Sequence, residues 1–258
     1  MTVLIDIISG VREDLQARRN EVPLSEITAR AAAAEPVRPF DLSADFGVIA
    51  EVKRKSPSRG DLAEIPDPGT LAGLYAAGGA RAISVLTESR RFNGSLADLD
   101  SVRAAVDIPV LRKDFMVDEY QFHEARAHGA DIVLLIVAAL DPVQLGEFHA
   151  LATELGMTAL VEAHNREELE TATELGAELI GVNTRNLKDL SVDTDRFTPL
   201  AELAPAGCTL VAESGVAGAA EVSKYADSGA DLVLVGEALV TGGRPQAAVE
   251  EYTALGRE

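Results

Sequence analysis

Gln121-Phe122-His123-Glu124-Ala125-Arg126-Ala127-His128-Gly129-Ala130-Asp131-Ile132-Val133-Leu134-Leu135 holds a helical pattern, a turn and a strand in one line. The first seven residues are helix-like. Gly129 stands where a helix ends in a left-handed residue. Ile132 to Leu135 is a continuous apolar run, as in a parallel strand covered on both faces. The same Gly-Ala pair precedes an apolar run at Gly79-Ala80, Gly176-Ala177 and Gly229-Ala230. It recurs roughly every fifty residues, about twice the length of one βα unit. Eight such runs follow in order: Val48–Ala50, Ala82–Leu86, Pro109–Leu111, Ile132–Leu135, Ala159–Val161, Leu179–Val182, Thr209–Val211 and Leu232–Val235. The four pairs stand before the second, fourth, sixth and eighth. Eight strands alternating with helices predict an α/β fold, a (β/α)8 TIM barrel, and 258 residues is its usual length. An open doubly wound sheet shares the alternation and is the competing reading.

Residues 1–47 precede the count as an N-terminal helical extension, and 48–258 form the barrel of a single domain. Leu4, Ile5, Ile8, Val11 and Leu15 follow helical spacing, and Pro23 to Ala34 reads as a second short helix. Pro36, Pro39 and Gly47 then break the chain. The extension is too short for its own core, so it packs on the barrel.

A formal charge of −19 with no Trp argues against nucleic acid as a partner, since phosphate backbones call for Lys and Arg excess and stacking aromatics. No apolar run is long enough for a membrane, and Met1 to Asp6 lacks the basic start of a signal peptide. Cys208 is the one cysteine, so no intramolecular disulfide forms. Its apolar surroundings favour a small buried residue over a nucleophile. Together these features indicate a cytoplasmic protein. The oligomeric state stays open, a monomer being compatible with the sequence.

Active sites of such barrels lie at the carboxyl ends of the strands. There stand Glu51, Lys53 and Ser56 after the first run, Arg112-Lys113-Asp114 after the third, and Glu162-Ala163-His164 after the fifth. Asn183-Thr184-Arg185 follows the sixth, Glu213-Ser214-Gly215 the seventh, and Gly236-Glu237 the eighth. Glu51 and Lys53 are two apart, so in extended chain they face the same way. Polar groups converging from six strand ends make a site. Ser214-Gly215 and Gly236-Glu237 stand where this fold commonly binds phosphate. An acidic protein needs local cations for that anion, and Lys53, Arg54, Lys55, Arg59, Arg112, Lys113 and Arg185 all fall at this end.

Other motifs fail. His123 and His128 are five apart, about 140° around a helix, where the zinc-protease pattern needs four. Gly215-Val216-Ala217-Gly218 lacks the first glycine of a dinucleotide fingerprint. His164 fits a supporting or loop role better than catalysis. With no cluster at metal-ligand spacing, neither metal nor organic cofactor is expected.

The string Val48-Ile49-Ala50-Glu51-Val52-Lys53-Arg54-Lys55-Ser56-Pro57-Ser58 closely resembles the opening strand of indole-3-glycerol-phosphate synthases. Val110-Leu111-Arg112-Lys113-Asp114-Phe115, Leu160-Val161-Glu162-Ala163-His164, Gly181-Val182-Asn183-Thr184-Arg185-Asn186-Leu187 and Ala212-Glu213-Ser214-Gly215-Val216 resemble the family in the same order. The resemblance implies a carboxy-lyase of tryptophan biosynthesis. It converts 1-(2-carboxyphenylamino)-1-deoxyribulose 5-phosphate, a small molecule bearing phosphate and carboxylate, to indole-3-glycerol phosphate, carbon dioxide and water. It further implies Lys113 as general acid, Glu162 as base of the dehydration, and Lys53 as a catalytic cation oriented by Glu51. Asn183, Arg185, Glu213 and Ser214 would contact substrate, with Ser56, Gly215, Gly236 and Glu237 on the phosphate. Two rival functions share the late phosphate loops. One is phosphoribosylanthranilate isomerase, which commonly pairs Cys with Asp, whereas Cys208 precedes its strand. The other is a non-catalytic sugar-phosphate-binding barrel, which would have lost Lys113 or Glu162.

Overall fold

All eight apolar runs are strands, and each is parallel to both neighbours. The structure is a computed structural model that describes residues 3–187 and 189–256. The strands are β1 (Gly47–Val52), β2 (Ala82–Leu86), β3 (Val110–Lys113), β4 (Ile132–Ile136), β5 (Thr158–Ala163), β6 (Leu179–Asn183), β7 (Thr209–Glu213) and β8 (Leu232–Val235). Because β1 pairs with both β2 and β8, the sheet is a closed barrel. The open-sheet reading is thereby excluded. Gly47, expected as a chain break, is instead the first residue of β1, where a side chain would collide with Arg81.

The Gly-Ala pairs do what their spacing predicted. Gly129 is left-handed at φ 77°, and the Ala130 N–H returns to the Ala125 carbonyl at 2.9 Å. That closes the helix and starts the strand. Gly156-Met157 performs the same closure before β5, the Met157 N–H reaching the Ala152 carbonyl.

Side chains alternate across each strand. One set, including Ile49, Leu111, Ile132, Leu160, Val211 and Leu232, fills the barrel interior. The other, including Val48, Val133, Val161 and Val233, packs outward against the helices. These are α1 (Val3–Glu21), α2 (Leu24–Ala33), α3 (Pro68–Ala77), α4 (Ser89–Phe92), α5 (Leu96–Ala105), α6 (Glu119–Ala127), α7 (Pro142–Glu154) and α8 (Arg166–Glu174). They continue with α9 (Phe197–Ala201), α10 (Ala219–Asp227), α11 (Glu237–Thr241) and α12 (Pro245–Ala254). Among the described residues no helix is long and apolar enough to cross a membrane. Of the stretch read for a leader, Met1 and Thr2 lie outside the described residues.

The extension reaches both ends of the barrel. α2 lies along α6, and α1 packs beside them, with Ile7 and Val11 on Val117, and Leu15 and Ile27 on Tyr120. The chain then descends to the amino ends of the strands. Phe40 and Leu42 pack against the interior cluster there, and Thr209 Oγ1 donates to the Leu42 carbonyl at 2.8 Å. The carboxyl ends are left open above this floor.

Candidate active site

At the carboxyl ends of the strands lies a cavity of about 630 Å³. Its lining includes Glu51, Lys53, Ser56, Lys113, Glu162, Arg185, Glu213, Ser214, Gly215, Gly236 and Glu237. Only Asn183 of the predicted site residues is absent from the lining. It ends β6, and its Oδ1 accepts from the Arg185 backbone N–H at 3.0 Å, shaping the start of the next loop.

Strand alternation explains the grouping. Glu51 and Lys53, Lys113, Glu162 and Glu213 continue the inward-facing sets that begin with Ile49, Leu111, Leu160 and Val211. The same rule removes Arg112, which falls on the outward face of β3. There it is 1% exposed and salt-bridged to Asp114 (3.0 Å) and Glu124 (2.9 Å). Arg54 pairs with Asp98, and neither it nor Lys55 lines the cavity. Among the described residues the cations that do are Lys53, Arg59, Lys113 and Arg185.

Lys113 is the centre of the charge arrangement. Its Nζ lies 3.0 Å from Glu213 Oε2 and 3.5 Å from Glu162 Oε2. Burial alone would discharge the amine, but Glu213, Glu162 and Glu51 outweigh it and hold Lys113 protonated above the ordinary lysine range. Two carboxylates beside one ammonium cannot be equally ionised in a buried site. Burial raises both. For Glu162 it is overcome by Lys113 and by His164, whose Nε2 is 3.2 Å from Glu162 Oε1, so this carboxylate stays ionised. Glu213 lacks that second cation and is held above the usual carboxylate range by burial and by Glu162. Its Oε1 is buried without a hydrogen-bond partner, against Gly181, where any side chain would strike it.

A second pair stands across the mouth, Lys53 Nζ at 2.6 Å from Glu51 Oε1. Ser84 Oγ donates to Glu51 Oε2 at 3.4 Å. Burial tends to raise the Glu51 carboxyl, yet Lys53 and Lys113 bring it below its ordinary value. The pair needs Gly236, because a Cβ there would lie 2.5 Å from Glu51 Oε1 and 3.0 Å from Lys53 Nζ.

The late loops meet along one side of the cavity. Ser214 and Gly215 are consecutive left-handed residues, at φ 70° and 79°. A serine rarely adopts this conformation. Tyr225 Oη holds it by donating to the Ser214 carbonyl at 2.9 Å, and Thr184 Oγ1 lies 3.2 Å from the same phenol. Gly236 and α11 lie beside them in the lining, and Arg59 reaches Glu237 with Nε 3.3 Å from Oε1.

The sequence reading missed the apolar wall. Phe92, Phe115, Leu134, Ile136 and Leu187 line the cavity, and Val3, Leu4 and Ile7 of α1 close its rim. An apolar residue at a strand end reads as core, and no local signal distinguishes the two. Cys208 lies just before β7, half-buried against the core and outside the cavity.

Residues 4–252 match the family described as indole-3-glycerol phosphate synthase. The chain is 57% identical to the indole-3-glycerol phosphate synthase of Paenarthrobacter aurescens (strain TC1), over 99% of this chain and 97% of that one. It is 56% identical to the same-named protein of Micrococcus luteus, over 98% of each. Among solved structures, 3-hexulose-6-phosphate synthase from Salmonella typhimurium superposes with a TM-score of 0.68 at 15% identity. That match covers 82% of this chain and 99% of that one, and the likeness is one of fold alone.

Proposed function

The chain belongs to the indole-3-glycerol phosphate synthase family, and from that premise we propose how its cavity divides the work. The reaction closes an indole ring from 1-(2-carboxyphenylamino)-1-deoxyribulose 5-phosphate, losing carbon dioxide and water.

The observation that carries the assignment is the Lys113 ammonium held between Glu162 and Glu213. Attack of the ring carbon on the substrate ketone leaves an oxygen that becomes an alkoxide. A buried ammonium stabilises that charge and gives it a proton. The raised proton affinity of Lys113 keeps the acid loaded through neutral pH, and a nascent alkoxide is basic enough to take the proton. Decarboxylation then discards the ring carboxylate. Glu162, held ionised, removes the proton that restores aromaticity as water leaves. Lys53, steadied by Glu51, acts through its charge and assists departure of the hydroxyl.

Binding follows the lining. The Ser214-Gly215 turn, Gly236, the backbone of Glu237 and Ser56 hold the phosphate. Phe115, Leu134, Ile136 and Leu187 offer the apolar slot that an aromatic ring requires. Arg185 answers the substrate's negative groups, and Asn183 orders the loop that carries Arg185. Glu213, in its protonated form, donates to substrate oxygen.

Incubation with the carboxyphenylamino-deoxyribulose phosphate should produce indole absorbance, and Glu162→Gln should abolish most of it while the barrel stays folded. Turnover should persist in chelator-treated buffer. Activity lost to chelator and restored by one divalent metal contradicts the scheme, as does a fully active Glu162→Gln.

A further inference from the structure

His164 continues the inward set of β5 beyond Glu162 and lies on the α8 side of the cavity. It is 6% exposed and does not line the cavity. Its Nδ1 is 2.9 Å from Glu168 Oε2, and its backbone N–H donates to the same oxygen at 2.8 Å. Glu168 is itself fixed, with Asn165 Nδ2 donating to its Oε1 at 2.6 Å. On the other side Nε2 stands 3.2 Å from Glu162 Oε1, close enough for an ion pair though off the line of a hydrogen bond. Arg196 faces His164 through its backbone, Nη2 donating to the His164 carbonyl at 2.8 Å.

We propose that His164 is a positioning residue: its imidazolium, clamped by Glu168, decides that Glu162 and not Glu213 is the ionised carboxylate beside Lys113. This rests on Glu162 being the base of the dehydration.

Lys113, with Glu51 and Lys53 beyond it, faces both carboxylates and cannot by itself choose between them firmly. It is in fact nearer to Glu213. Taken alone, Lys113 would favour ionisation of the wrong carboxylate for a base at β5. His164 touches Glu162 and so reverses that preference. An imidazole between two carboxylates is itself held protonated, and although burial opposes this, Glu162 and Glu168 push His164 up to about 9. Glu168 therefore acts on the base at one remove. The shared proton is directed to Glu213, where it is available as a donor to substrate.

The test uses the full chain and His164→Gln, whose amide keeps a donor near Glu162 but carries no charge. Wild-type kcat/KM should stay flat with falling pH through roughly pH 5, because Glu162 titrates below that. In His164→Gln a rising limb should appear at acid pH where wild type is flat, because Glu162 loses one of the two cations that hold it below the ordinary carboxylate range. Below that limb kcat/KM of the variant should fall about tenfold for each unit of pH, as the ionised fraction of the base does. The loss should be smaller at pH 8 than at acid pH, because a base of raised pKa is more fully ionised there. Glu168→Gln should move the limb the same way by less, and it serves should His164→Gln fold poorly.

A stability readout is independent of turnover. The His164 pKa is raised in the fold, so its contribution is complete below the free value of 6.5 and is lost as pH rises through about 9. The fall in melting temperature across that window should be shallower in His164→Gln than in wild type. A uniform loss of rate with the limb unmoved, or an unchanged melting profile, overturns the proposal. Glu162→Gln separates the two readings. If it loses turnover while His164→Gln leaves the limb in place, only the role of His164 fails. If it keeps turnover, the assignment of the base fails first.

Discussion

Gly236 shows how one absent side chain sets the chemistry of two others. Its Cβ would lie 2.5 Å from Glu51 Oε1 and 3.0 Å from Lys53 Nζ, both parts of a 2.6 Å ion pair. Gly236→Ala should therefore displace the pair and lower kcat/KM by roughly tenfold or more, with circular dichroism unchanged. A variant with wild-type kinetics would mean that the pair can shift at no cost. The charges also fix the pH profile. Glu162 lies below the ordinary 4.5 and Lys113 above the ordinary 10.5, so neither should put a limb in kcat/KM between those values. A limb between them belongs to Glu213, and Glu213→Gln should remove it. An alkaline limb well below the lysine range that survives Glu213→Gln would contradict the Lys113 assignment. At this scale the sequence was readable where chemistry is unusual for a strand end, as at Glu51, Lys113, Glu162 and Glu213. It misled at Arg112, because a charge after a strand does not say which face it takes. Alternation from Leu111 would have placed Arg112 outward.

Elements were the most legible level. Parallel strands buried on both faces must be apolar throughout, so all eight runs were visible. The Gly-Ala pairs marked four helix ends, but Gly156-Met157 closes a helix with the same geometry and escaped a search for alanine. The loop after β7 is different, since its conformation depends on distant support. Ser214 is left-handed because Tyr225 from α10 and Thr184 from the end of β6 bind its carbonyl and its neighbours. No local pattern predicts that. Tyr225→Phe should loosen the turn and raise KM roughly 2–10-fold with little change in kcat, the range expected for one hydrogen bond. Affinity for inorganic phosphate as a competitor should fall by a similar factor. A lowered kcat at constant KM would show that the tyrosine serves the reacting end instead.

The whole molecule joins the two through its N-terminal extension, which serves opposite ends of the barrel. Val3, Leu4 and Ile7 stand on the cavity rim, while Phe40 and Leu42 plug the floor. Ionic contacts fasten α1 to α4, Arg90 to Glu13 and Asp14 at 2.8 and 2.6 Å and Arg91 to Asp6. Exposed pairs of this kind contribute about 0–1 kcal/mol each. Burying Ile7, Val11, Leu15 and Ile27 contributes about 1.5–3 kcal/mol apiece. The apolar seam therefore holds the extension, and 1 M salt should leave KM nearly unchanged apart from screening of the phosphate. Removing residues 1–33 should raise KM while the barrel still folds. Removing residues 1–45 should also lower the melting temperature, because the floor goes with it. Equal effects of the two truncations would refute this division. The amphipathic first helix was legible in the sequence, but the floor was not, since Phe40 and Leu42 follow no period.

The central claim, that the Lys113 ammonium between Glu162 and Glu213 supplies the proton for ring closure, is tested most directly by steady-state kinetics of Lys113→Ala followed by indole absorbance. The account predicts turnover reduced roughly 10²–10⁴-fold with KM much less affected, because the proton matters most in the transition state. Wild-type turnover with only a raised KM would contradict it and make Lys53 the acid.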